Sequence, residues 1–188
     1  MHHASATVKT NFTAENIFME AITTITFLGL QFAQIAWLVK DIKAAERLFR
    51  EAIGISNFSK AAITRLEEFE GTYYGEPCDA ENLVSMAYTG GTFVELIQPL
   101  SGPSIFQDYL DKNPAGGVQH IAFSLPVRDL DKIIFKLTEK GYPVIATFNT
   151  PIANIVFFDT SKDIGVFTEI IGITEEGEKA VLKMKVGN

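Results

Sequence analysis

The chain repeats itself. Residues 32–39 read FAQIAWLV and residues 118–125 read VQHIAFSL, both apolar, with Ile-Ala at the same place and one polar residue just before it. A repeat constrains a chain more than composition does, because each copy must bury the same face in the same local structure. Each copy is followed by an Asp that can cap a helix, Asp41 and Asp129. Behind Asp41, the residues Ile42, Ala45, Leu48, Phe49, Ala52 and Ile53 share one helical face. Behind Asp129, Leu130, Ile133, Ile134 and Leu137 do the same. Both helices are expected to stop at a glycine, Gly54 and Gly141, where a left-handed residue costs least.

Strand patterns follow in each half. They cover 61–69, 83–88 and 92–98 in the first, and 143–148, 154–159 and 166–171 in the second. The last strands match again: GTFVELI from Gly91 and GVFTEII from Gly165 share Gly, Phe, Glu and Ile in register. Each half therefore reads β-α-β-β-β, an α+β architecture. The expected organisation is an N-terminal arm over 1–30, a first module over 31–98 and a linker with a short helix over 99–117. A second module over 118–172 and a charged tail over 173–188 complete it.

The first twenty residues have one basic residue, Lys9, and the acids Glu15 and Glu20, with no long apolar stretch. They do not read as a secretory signal. The uncharged run 21–39 approaches the length of a membrane span. It holds several Thr and Gln, and its second half is the first repeated strand, so a buried strand behind an arm is expected instead of a span. One cysteine, Cys78, excludes an internal disulfide and fits a cytoplasmic protein. The net charge of −7 repels phosphate backbones and argues against a nucleic-acid partner.

Polar residues inside the apolar strands carry the chemistry. Alternation sends Ile35, Trp37 and Val39 to the helix side and Gln34, Ala36 and Leu38 to the other. In the second copy, His120, Ala122 and Ser124 face away from the helix. Gln34 and His120 are thus equivalent, and so are Glu95 and Glu169 in the final strands. A carboxylate inside FVELI or FTEII needs a cation, hydrogen bonds or water. Gln34, Glu95, His120 and Glu169 together suit a divalent metal such as Zn, Ni, Co, Mn or Fe, two donors from each half.

These residues resemble the vicinal oxygen chelate superfamily of glyoxalases, bleomycin-resistance proteins and extradiol dioxygenases, over nearly all of 32–171. The likeness is strongest over 94–121, VELIQPLSGPSIFQDYLDKNPAGGVQHI, which is similar to the methylmalonyl-CoA epimerase branch. The resemblance implies two paired βαβββ modules forming a cupped mixed sheet around a metal. It also implies that Gln34, Glu95, His120 and Glu169 occupy the ligand positions. Two departures stand out: epimerases usually have His where Gln34 stands, and the third strand, LVSMAY, lacks their second acid, with Glu81 and Glu76 lying before it.

The function so implied is a metal-dependent glyoxalase-type lyase, isomerase or epimerase acting on a small molecule, possible homodimer included. Glu169, or else Glu95, would move the proton, and Phe93, Phe167 and Tyr88 would line the cup. The alternative is a non-catalytic binder of small apolar ligands, of the bleomycin-resistance kind.

Overall fold

The two repeated apolar segments are neighbouring strands. In a computed structural model of the chain, residues 29–186 are described, side chains as far as Lys183. The expected arm, apart from its last two residues, and the first part of the uncharged run lie outside the described residues. Strand β1 (Gln31–Leu38) has Gln34, Ala36 and Leu38 buried, while Ile35 and Trp37 are half-buried, as the alternation requires. A first helix, α1 (Ile42–Leu48), begins at Asp41, whose Oδ1 accepts from Ala44 N at 3.0 Å. It loosens into a π-helical turn (Phe49–Ile53) that ends at Gly54, φ 89°. Phe49 stacks edge-on between Trp37 and Phe58, at 5.5 and 5.8 Å, which fixes the helix to the outer face of the sheet. Leu48 and Ile53, expected on the packed face, are exposed; Ile53 is turned out of line by the π turn, and Leu48 ends the α-helix just before it.

The expected strand over 61–69 is shorter. It is β2 (Ala62–Arg65), followed by a 3-10 turn (Leu66–Phe69) and an unanticipated hairpin, β3 (Thr72–Tyr73) and β4 (Glu76–Pro77). Then come β5 (Glu81–Thr89) and β6 (Thr92–Ser101). The linker helix α2 (Ile105–Lys112) starts at Ser104, whose Oγ accepts from Gln107 N at 3.1 Å. The second module runs through β7 (Gly117–Pro126), α3 (Leu130–Glu139), β8 (Val144–Asn149), β9 (Ala153–Phe158), a short α4 (Ser161–Ile164) and β10 (Phe167–Ile173). Asp129 does not cap α3 with its side chain; Lys132 Nζ takes that carboxylate at 2.6 Å instead. The residues after Gly172 are not simply a charged tail: α5 (Glu175–Val186) closes the described chain.

The described strands form one sheet, ordered β2-β5-β6-β1-β7-β10-β9-β8-β3-β4. The modules meet where β1 and β7 pair antiparallel, and β6 and β10 flank them in parallel. The sheet must curl. Arg65 of β2 and Thr72 of β3 are seven residues apart, about 25 Å at full stretch. A flat sheet would separate those strands by eight spacings, roughly 38 Å. The hairpin therefore reaches the far edge only because the two edges approach each other.

The space behind the middle of the sheet is filled. Ala36, Leu38 and Ile97 of the first module pack with Ile105, Phe106 and Leu110 of α2 and with Ile145 and Phe157 of the second. Gly116, φ 76°, allows the chain entering β7 to pass the end of β1; a Cβ there would lie 2.4 Å from the Leu38 carbonyl oxygen. No helix among the described residues is long and apolar enough to cross a membrane.

Candidate functional site

The register obeys the repeat. Ala36 of β1 lies opposite Glu95 of β6 and His120 of β7; Ala122 of β7 lies opposite Gln34 of β1 and Glu169 of β10. Exchanging 34 with 120, 36 with 122 and 95 with 169 maps one set onto the other. Four adjacent strands thus each contribute one polar side chain to a single patch. The two fully buried alanines leave room between them.

The contacts are close. Gln34 Nε2 donates to Glu169 Oε2 at 2.7 Å and to Glu95 Oε2 at 2.9 Å. His120 Nε2 lies 3.2 Å from Glu169 Oε2, 3.4 Å from Glu95 Oε2 and 3.4 Å from Gln34 Nε2. All but Glu95 are buried. Burial pushes the Glu169 carboxyl upward, against the pull of His120. Burial also opposes charge on His120, but hydrogen bonding and attraction from Glu169 and Glu95 prevail and raise its pKa to about 9.

A residue the sequence reading passed over orients the imidazole. β1 pairs Ala36 with His120 and Trp37 with Val118, so Gln119 is an extra residue in a bulge. The bulge turns Gln119 and His120 inward together, and both are buried. Gln119 Nε2 donates to the Ile105 carbonyl at 3.3 Å, which leaves its Oε1 to accept from His120 Nδ1 at 2.5 Å. With its proton held at Nδ1, a neutral His120 turns the Nε2 lone pair toward Gln34, Glu95 and Glu169. A polar residue directly before the strand histidine was the only signal for this in the sequence.

The donor set fits a divalent metal. Ligand atoms about 2.1 Å from a common ion are about 3.0 Å apart at octahedral and about 3.4 Å apart at tetrahedral edges. The observed separations span 2.7–3.4 Å. Two carboxylates would offset the ion's charge, and the Gln34 amide, turned over, would present Oε1 in place of Nε2. Among the described residues no three His, Cys, Asp or Glu side chains form a group that could hold a metal by themselves. Gln34 would complete the donor set.

Gln34, Glu95 and Glu169 also form part of the wall of a cavity of about 370 Å3. Tyr88 and Phe93 line it, with ring centroids 5.0 Å apart. Phe167 does not. It starts β10 two residues before Glu169, on the filled side, and packs against the core behind the site. On β5 the cavity-facing residues are Asn82, Val84, Met86 and Tyr88, with Met86 opposite Glu95. No acid stands there. Glu81 is held by Arg65 Nε at 2.7 Å, and Glu76 lies on the hairpin. Helix α5 completes one side of the wall through Gly177 and Val181. Its start was legible in Thr174-Glu-Glu, where Thr174 Oγ1 accepts from Gly177 N at 3.1 Å and acids follow in the first turn.

Comparison with known proteins agrees with this fold. Residues 33–157 match the Glyoxalase/Bleomycin resistance protein/Dioxygenase superfamily. No curated protein matches the chain. Among solved structures, methylmalonyl-CoA epimerase from Mycobacterium tuberculosis is similar at a TM-score of 0.56 and 17% identity, over 80% of this chain and 91% of that one. A Streptomyces coelicolor methylmalonyl-CoA epimerase variant in complex with 2-nitronate-propionyl-CoA is similar at 0.56 and 20% identity, over 77% and 93%. A hypothetical protein from Bacillus halodurans C-125 is similar at 0.52 and 18% identity, over 76% and 93%. At these identities the likeness is one of fold. The extent of the sequence match makes the family assignment: the chain belongs to the glyoxalase/bleomycin resistance protein/dioxygenase superfamily.

Proposed function

We propose that the chain is a metal-dependent lyase or isomerase of the glyoxalase type, moving a proton at the carbon next to a carbonyl of a small substrate. The observation that carries this reading is the convergence of Gln34, Glu95, His120 and Glu169 from four adjacent strands on the wall of an otherwise apolar cavity. A divalent ion bound there would polarise a carbonyl oxygen and offset the negative charge that builds on it as the neighbouring proton leaves.

The chain's own residues supply the rest. His120, oriented by Gln119, would hold the ion together with Gln34, Glu95 and Glu169. Glu169 would take the proton, its carboxylate bordering the cavity beside the ion. The same carboxyl would return the proton to the adjacent carbon, a 1,2-shift that one base completes; the cavity-facing residues of β5, with Met86 opposite Glu95, offer no second acid for delivery to the opposite face. The apolar wall keeps water from the reacting carbon.

The apolar lining and the absence of that second acid also favour a second reading, a binding protein for apolar ligands without catalysis. Elemental analysis of protein purified without metal-affinity resin or chelator separates the two. Near-stoichiometric divalent metal, absent from His120→Ala, supports the enzyme. Turnover lost in Glu169→Gln while metal is retained would assign the base. No metal in the wild type, and none taken up from zinc, nickel, cobalt or manganese, would remove the catalytic reading.

A further inference from the structure

The cavity wall is lopsided in charge. Its charged side chains are Glu95 and Glu169, and both are already engaged by Gln34 and His120. Among the described residues lining it there is no Lys, Arg or His. The remaining polar groups, among them Thr64 and Asn82, are neutral. Asn82 is buried, and neither its Nδ2 nor its Oδ1 has a partner. Phe32, Met86, Phe106, Phe148, Ile155 and Ile171 make up much of the rest.

An anion entering this space would lose its hydration and find no cation to replace it. It would also meet the field of two carboxylates. A divalent ion at the four-donor site would offset those two charges, so that away from the ion's own contact atom an anion would find no net positive field. A cation in the apolar part would also lose its hydration, and with the ion held by Glu95 and Glu169 neither carboxylate is left to receive it. An uncharged molecule pays neither cost and gains from every apolar contact.

We infer that the substrate class is uncharged and largely apolar, carrying aromatic or branched hydrocarbon into the cup, and not a carboxylate or phosphate buried there. This rests on reading the cavity as the substrate site, but its test does not require the metal. The fluorescent probe is N-phenyl-1-naphthylamine, titrated into the full chain with and without added zinc. Three competitors of matched size then displace it at pH 7: 1-naphthylacetamide, 1-naphthylacetate and 1-naphthylmethylammonium.

The expected result is displacement by the neutral amide at a concentration at least about tenfold lower than by either ion. Equal or better displacement by the acetate or by the ammonium would overturn the inference. In Met86→Lys, and in Phe93→Lys should the first variant fold poorly, the acetate is expected to gain on the amide. The neutral preference holding in a protein that never takes up metal supports the substrate class while the catalytic reading fails. Metal uptake together with a preference for the acetate sinks the substrate class and leaves the catalytic reading intact.

Discussion

The two modules share a register around the site and differ in almost everything else. The second contributes His120 and Glu169, both buried, from strands backed by a regular helix. The first contributes Gln34, a weaker ligand, and Glu95, whose side chain is more exposed. Its helix relaxes into a π turn, its second strand is short, and its hairpin leaves to pair with β8 of the other module. Both halves line the cavity, the first through β5 and the second through β8, β9 and β10. The difference predicts an asymmetry in metal binding, with the second half the firmer anchor. Duplication sets where donors stand, and later divergence can change one copy without moving the other.

If the second half anchors, His120→Ala should cost far more than Gln34→Ala. We expect at least about a hundredfold loss of zinc affinity for the first and about tenfold for the second, read by competition with a chelating dye. Equal losses would break the proposed asymmetry.

Gln119→Leu should weaken metal binding by about 10–100-fold, because the imidazole loses the acceptor that holds its proton at Nδ1. Gln119→Glu, which keeps an acceptor, should recover most of it. Rescue by Glu but not Leu separates orientation from packing.

The symmetric alanines test the shared part. Ala36→Val and Ala122→Val should each destabilise the fold by about 1–3 kcal/mol through overpacking between the donors. Denaturant melts giving similar penalties would support the pseudo-twofold site; a large cost at only one position would show the two halves are not equivalent there.

Asn82, on β5 of the first half, has no partner for either amide atom. Asn82→Leu is therefore expected to stabilise the ligand-free protein by about 1–2 kcal/mol, measured by thermal or denaturant unfolding. A clear destabilisation would mean that the amide is satisfied in solution.

The most gradual effect is in pH. Metal-free, His120 binds its proton more tightly folded than unfolded, with a pKa raised to about 9 from 6.5. The stability this contributes is complete below about pH 6.5 and is lost as pH rises through about 9. Glu169, also raised, acts with the same sign. Denaturant melts of the metal-free protein should fall across that window, and saturating zinc should flatten the slope while releasing protons on binding. A metal-free slope of opposite sign would rule out the protonated cluster.

Much of this was legible because it is periodic. The matched Ile-Ala strands, the matched FVELI and FTEII, and the capped helices at Asp41 and Ser104 are short-range patterns that report which way a side chain points. They sufficed to put Gln34, Glu95, His120 and Glu169 on equivalent faces. Phe167 shows where parity stops helping. It shares the face of Glu169, but how far along the strand the core filling extends depends on α2 and Phe157, from distant parts of the chain. The bulge at Gln119 is invisible in the same way, since it exists only as a mismatch between two strands 80 residues apart.

The sequence by itself determined the repeat, the α+β order of each half and the four inward polar side chains, because backbone alternation and helical period are local properties of the chain. Only the tertiary structure decided that the sheet curls far enough to bring the hairpin to its opposite edge. It alone placed Met86 rather than an acid opposite Glu95, and left the described residues of the cavity wall without a Lys, Arg or His. Those outcomes depend on register and on contacts between segments far apart in the chain, which no local pattern encodes.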